Sequence, residues 1–238
     1  RAENGSWTLQ GGQSDGTDCG DIYGLVSPYS GFQNLSFNTN PTLNAPNPGL
    51  GIAGGLKLSE NFYAVASVAD ANADPSDPNF DVFSDGNLFK SLELGYTSGF
   101  DRIYFDNIHL TLWHADAADD GSRAEDYGAA FSAAWFIDNK WMALCRGGGA
   151  KGAAALYGRS VSGGLGYYGR NTDLAGLGLN WAEARGIDGD QFTLEAFYRF
   201  SISPGLQITP SLQFISDPLQ DPTQDSITLF GLRTRIVF

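Results

Sequence analysis

At 238 residues and a formal net charge of -13, the chain is long enough for one large all-β domain and lacks the basic footprint that nucleic-acid binding needs. It has 31 Gly, 13% aromatic and only 17% charged residues, yet no apolar run approaches the roughly 18 residues of a membrane helix. If the chain crosses a membrane it does so as a closed barrel, because open sheet edges cannot stay unsatisfied in lipid.

The chain begins at Arg1 rather than Met and shows no signal peptide, so processing or an absent first part is expected. Residues 1–50 read as irregular or as first strands, and 51–238 as the regular up-and-down strands of one transmembrane antiparallel β-barrel domain. Segments of about ten residues with period-two alternation predict strands over 51–59, 62–71, 89–98, 108–116, 127–138, 141–150, 160–170, 173–184, 191–203, 206–217 and 226–238. Short polar or Pro/Gly turns at 58–61, 138–140, 171–172 and 203–205 alternate with longer connections at 72–88, 117–126, 151–159, 185–190 and 218–225. The connection at 99–107 is a long member of the short class. Outer-membrane barrels keep short turns in the periplasm, so counting back from Phe238 puts every long connection outside.

The long connections hold much of the acid, including Asp70, Asp74, Asp77, Asp81 and Asp85, then Asp116, Asp119, Asp120, Glu125 and Asp126, then Asp217, Asp221 and Asp225. The opening of an EF-hand loop is visible in Asp70, Asn72 and Asp74, but Pro75 stands where that loop needs Gly, so these read as solvated charge and no metal or cofactor is expected. Cys19 and Cys145 have no metal-ligand spacing; a disulfide and two unpaired packing residues both stay open.

Alternation assigns the faces. Phe131, Trp135, Leu177, Trp181, Phe192, Leu194, Tyr198 and Phe200 point outward, with aromatics falling near both ends of the strands as interface girdles do. Strand 141–150 resists: placing Arg146 inside also brings Met142 and Leu144 inside, and Cys145 is left unoriented. The inward rows give a lumen carrying Glu93, His109, Trp113, Arg170, Glu195, Arg199, Arg233 and Arg235, joined by Gln207, Thr209, Ser211 and Gln213. Charges of both signs, amides, hydroxyls and an aromatic surface suit sugars, and equally suit any water-filled pore. The arginines favour anions, while guanidinium beside Glu195 offers paired donors and acceptors to a neutral sugar. Last comes 226–238, in which Thr228, Phe230, Leu232, Thr234, Ile236 and Phe238 alternate with Leu229, Gly231, Arg233, Arg235 and Val237.

Several segments carry a resemblance: Phe32–Leu35 through Ala45–Gly51, Asp70–Pro75, Leu92–Tyr96, His109–Asp116, Glu195–Phe200 and Leu206–Pro210. In this order and spacing, over roughly residues 30–238, they resemble the carbohydrate-selective porin family (OprB-type). The resemblance implies a bacterial outer-membrane barrel of sixteen strands for diffusion of small sugars, with a charged and aromatic constriction. Its expected partners are small solutes, outer-membrane lipid and the barrel assembly machinery, which reads a C-terminal aromatic such as Phe238. Such porins often form homotrimers, although no interface is legible. Family members are longer at the N-terminus; this chain supplies eleven or twelve strands, as the C-terminal part of a sixteen-stranded barrel or a reduced relative would. A general or inorganic-ion pore and a structural barrel remain alternatives. An enzyme is disfavoured: His109 and His114 point to opposite faces, and no Gly-x-Ser-x-Gly elbow accompanies them.

Overall fold

Period-two alternation in this chain is realised as strands along nearly its whole length. The computed structural model describes residues 2–3, 5–14, 20–21, 24–25, 27–76, 86–117, 121, 124–152 and 154–237. Among them, thirteen strands follow one another in a single antiparallel meander: β1 (Ala2–Glu3), β2 (Trp7–Ser14), β3 (Gly49–Lys57), β4 (Phe62–Asp70), β5 (Leu88–Thr97), β6 (Asn107–Ala115), β7 (Asp126–Phe136), β8 (Trp141–Ala150), β9 (Arg159–Tyr168), β10 (Leu174–Glu183), β11 (Asp190–Ser203), β12 (Leu206–Ser216) and β13 (Ser226–Ile236). The eleven strands expected beyond residue 50 are β3 to β13, with ends displaced by no more than two residues. Among the described residues before Gly49 are β1, β2 and a short helix, α1 (Leu35–Asn38). No ladder among the described residues joins β13 to β1.

Connections alternate in length as expected. The β7–β8 turn is tied by the Asp138 carboxylate, which accepts from the backbone N–H groups of Lys140 (2.7 Å) and Trp141 (2.8 Å). At the end bearing the short turns, outward rings pair between neighbouring strands, Phe62 with Tyr96 (5.1 Å) and Trp141 with Tyr167 (4.8 Å), and Tyr96 on β5 stacks with Trp135 on β7 across β6 (6.1 Å). Between this girdle and the opposite rim lie exposed apolar rows such as Leu110 and Leu112, Leu177 and Leu179. One face of the sheet is thus greasy and bare, the other buried and polar.

The resisting strand is resolved with Met142, Leu144 and Arg146 inside and Cys145 exposed outside. Cys145 has no disulfide partner among the described residues, and Cys19 lies outside them, as do Asp77, Asp81, Asp85, Asp119, Asp120 and Phe238. No acidic cluster able to hold a metal occurs among the described residues. Arg170 departs from its expected strand position: β9 ends at Tyr168, and Arg170 opens a one-turn 3-10 helix, Arg170–Thr172, exposed in the short β9–β10 turn. Asp173 caps that turn with its N–H on the Arg170 carbonyl, so the chain has already left the sheet there.

Candidate functional site

The longest connection, between β2 and β3, leaves the long-loop rim and turns into the cylinder. Local chemistry shapes it: the Asn34 side chain accepts from Ser36 N–H (3.0 Å) and starts α1, and the Asn40 side-chain Oδ1 accepts from the Thr42 hydroxyl (2.9 Å). Such a segment carries backbone groups that neither sheet nor bulk water satisfies, and the inward faces of the strands supply the missing partners. Glu195 on β11 accepts from the N–H groups of Gln33 and Asn34, both at 2.8 Å. Glu93 on β5 accepts from Asp21 N–H (2.6 Å), the Tyr63 hydroxyl (3.0 Å) and the Thr111 hydroxyl (2.9 Å). Arginines grip carbonyls instead: Arg146 that of Phe37 (3.3 Å), Arg199 that of Ser30 (3.2 Å), and Arg233 those of Pro28 and Gly31 (3.0 Å to Gly31). Strands β5 to β13 therefore curve around one segment.

A buried charge cluster anchors its start. The Asp21 carboxylate pairs with the Arg146 guanidinium and also meets His109 Nε2 (3.1 Å) and the Ser132 hydroxyl (2.8 Å). His109 Nδ1 is placed by Asn107 Oδ1 at 2.7 Å. Removing one member of such a buried pair leaves an uncompensated charge, a loss of about 3–5 kcal/mol.

Beyond the charges, Phe32 and Phe37 pack 5.0 Å apart, Phe32 meets Phe197 edge-on at 5.1 Å, and the group is completed by Met142, Leu144, Leu174 and Ala134. That explains the apolar inward residues of β8, which face the segment rather than water. Close approach requires small residues on the wall: a Cβ at Gly178 would fall 2.8 Å from a Phe37 ring carbon, and one at Gly148 would collide with the Thr42 hydroxyl.

The expected lumenal residues divide accordingly. Glu93, His109 and Glu195 are each no more than 2% exposed and hold the infolded segment. Trp113 is walled in against Phe89 (6.3 Å, stacked) with Leu43, Ala115 and Ala155, so no ring face is open to a passing sugar. Arg199 and Arg233 remain half-exposed, Arg235 is exposed, and Arg170 is in the turn. Asp21, Arg146, Phe32, Phe37 and Asn40 were not legible as site residues. Their sequence signals were the apolar pair Met142 and Leu144 ahead of an inward Arg146 and the place of Phe32 in a segment of family resemblance. Away from these fastenings the wall is small and polar: Gly51, Gly55, Ser67 and Ser91 on β3 to β5 and Gln207 on β12 are half-exposed, while Ser211 and Gln213 on β12 hold the side chains of Gln33 (3.2 Å) and Asn34 (3.0 Å). Ser67 and Ser91 hydroxyls are 2.6 Å apart across β4 and β5.

The family model for carbohydrate-selective porins, the OprB family, covers residues 96–238. The chain belongs to this family. Membership makes it a porin, a channel rather than an enzyme. The high-pH structure of Pseudomonas putida OprB superposes on it with a TM-score of 0.73 at 15% identity, across 98% of this chain and 70% of that one. The likeness shows a shared barrel fold. No curated protein matches the chain.

Proposed function

We propose that this OprB-family porin resides in a bacterial outer membrane and passes small carbohydrates by diffusion, along the flank between the infolded segment and the wall of β3–β5. The observation that carries the reading is the segment itself. Its backbone is fastened by Glu93, Glu195, Arg146, Arg199 and Arg233, so the bore is narrowed on one side while the half-exposed hydroxyls of Ser67 and Ser91 and the glycines of β3 line the other. Neutral sugars find donors and acceptors there at each step without a deep well, which suits passage rather than retention. Glu93, His109 and Glu195 act in this reading as positioning residues, and Arg199, Arg233 and Arg235 as solute contacts.

The burial of Trp113 favours a second reading, a general pore without sugar preference, because it withdraws an aromatic platform from the route. Swelling of liposomes containing the purified protein separates the two. Glucose should enter faster than a non-sugar solute of equal size; equal rates would leave only the general pore. Recovery of the native protein in a fraction other than the outer membrane would overturn the location.

A further inference from the structure

The buried cluster at the start of the infolded segment needs one proton more than ionised acids and a neutral imidazole supply. Four contacts run in a line from the segment into the wall: His109 Nε2 to Asp21 Oδ1 (3.1 Å), His109 Nδ1 to Asn107 Oδ1 (2.7 Å), Asn107 Nδ2 to the Tyr63 hydroxyl (2.9 Å) and that hydroxyl to Glu93 Oε1 (3.0 Å). Each contact needs one hydrogen. With Asp21 and Glu93 as carboxylates, a neutral His109 gives one, the amide of Asn107 gives one and Tyr63 gives one, so one of the four contacts sets lone pair against lone pair. Turning the Asn107 amide over moves the empty contact along the line and does not fill it.

The charges give the same count. Facing His109 and Glu93 are Asp21 on the segment, Tyr63 on β4 and, through Asp21, Arg146 on β8; Thr111 on β6 and Ser132 on β7 add neutral hydroxyls. Two carboxylates against one guanidinium leave a negative charge in excess, where Glu93, His109 and Arg146 are all covered. One added proton, on His109 as imidazolium or on Glu93 as carboxylic acid, fills the empty contact and makes the cluster neutral. His109 Nε2 also lies 3.8 Å from Glu93 Oε2, so the two are coupled and the proton belongs to the pair.

We propose that this proton latches the infolded segment: while the His109–Glu93 pair holds it, Asp21 ties the start of the segment to β5, β6 and β8, and its loss in alkaline solution frees that end and widens the bore. The proton passes to hydroxide and no covalent bond in the chain changes. What remains is an uncompensated buried charge beside two opposed lone pairs, which is relieved when Asp21 moves into water. The latch holds whichever solute passes.

Single-channel conductance in a planar bilayer, followed from about pH 6 to about pH 10, tests it. Wild-type conductance should rise reversibly, with noisier current above the rise. Glu93→Gln puts the missing hydrogen on an amide that cannot release it, so this variant should lose the rise. His114→Gln, which removes the other of the two histidines from the outward face, should keep it. A wild-type conductance that stays level, or a rise that survives in Glu93→Gln, overturns the latch. Should Glu93→Gln give no channel, nitrogen-15 spectra of histidine-labelled His114→Gln protein in detergent decide. His109 is then the sole histidine, and its ring-nitrogen signals should move over the same pH interval as the conductance; signals constant through that interval overturn the proposal.

Discussion

Asp106 closes the β5–β6 turn, where its carboxylate accepts from the Ser98 hydroxyl (2.9 Å), Phe136 N–H (2.9 Å) and the Arg102 guanidinium. Burial alone would raise its pKa, but these donors outweigh burial and hold it below the ordinary 3.8. A carboxylate depressed in the folded state stabilises above its unfolded pKa, and the contribution is lost as pH falls through the lowered value. Asp106→Asn should therefore cost about 1–2 kcal/mol at neutral pH, seen as a lower temperature of heat modification on gels, and progressively less as pH falls below 3.8 and through the lowered value. A loss that does not change with pH would mean that packing holds the turn. The same scale shows why faces were legible and surroundings were not. Period two places Asn180 and Glu195 on the inward side, yet inward does not mean wet: Asn180 spends its amide on Ser160 (2.7 Å), Ser162 (2.9 Å) and the Val161 carbonyl (3.2 Å), and Glu195 is fully covered.

At the scale of elements, the strands could be read because each is specified by neighbours two residues away, and their turns by local Asx and Pro/Gly chemistry. The infolded segment could not, because each of its partners is remote: Asn34 bonds Gln213 (3.0 Å), and Asn40 reaches the Gly147 and Phe131 carbonyls. Its trace in the sequence was negative, the misfit of Met142 and Leu144 with a wet interior. Gly178→Val would push Phe37 off the wall of β10 and release this side of the segment, while the outward residues Leu177 and Leu179 still define the strand. Single-channel conductance of that variant should rise, with larger current fluctuations than wild type. An unchanged conductance would show that the segment does not limit flow.

For the whole molecule, chain parity makes a sidedness that can be measured. In a background where both cysteines are Ser, single cysteines at Glu125 and Thr223, exposed in long connections, should react with an impermeant maleimide on intact cells. Asn139, exposed in the β7–β8 turn, should react only after the envelope is opened. The reverse pattern would invert the topology. The fastening of the infolded segment also sets an order of events during assembly. Arg233 on β13 holds the carbonyls of Pro28 and Gly31, which lie 205 and 202 positions earlier in the chain. Contacts of such sequence separation form only after the intervening chain has lost most of its freedom. The grip of Arg233 on the segment is thus the fastening with the longest reach along the chain, and it closes after the nearer ones made by Glu93 on β5 and Arg146 on β8.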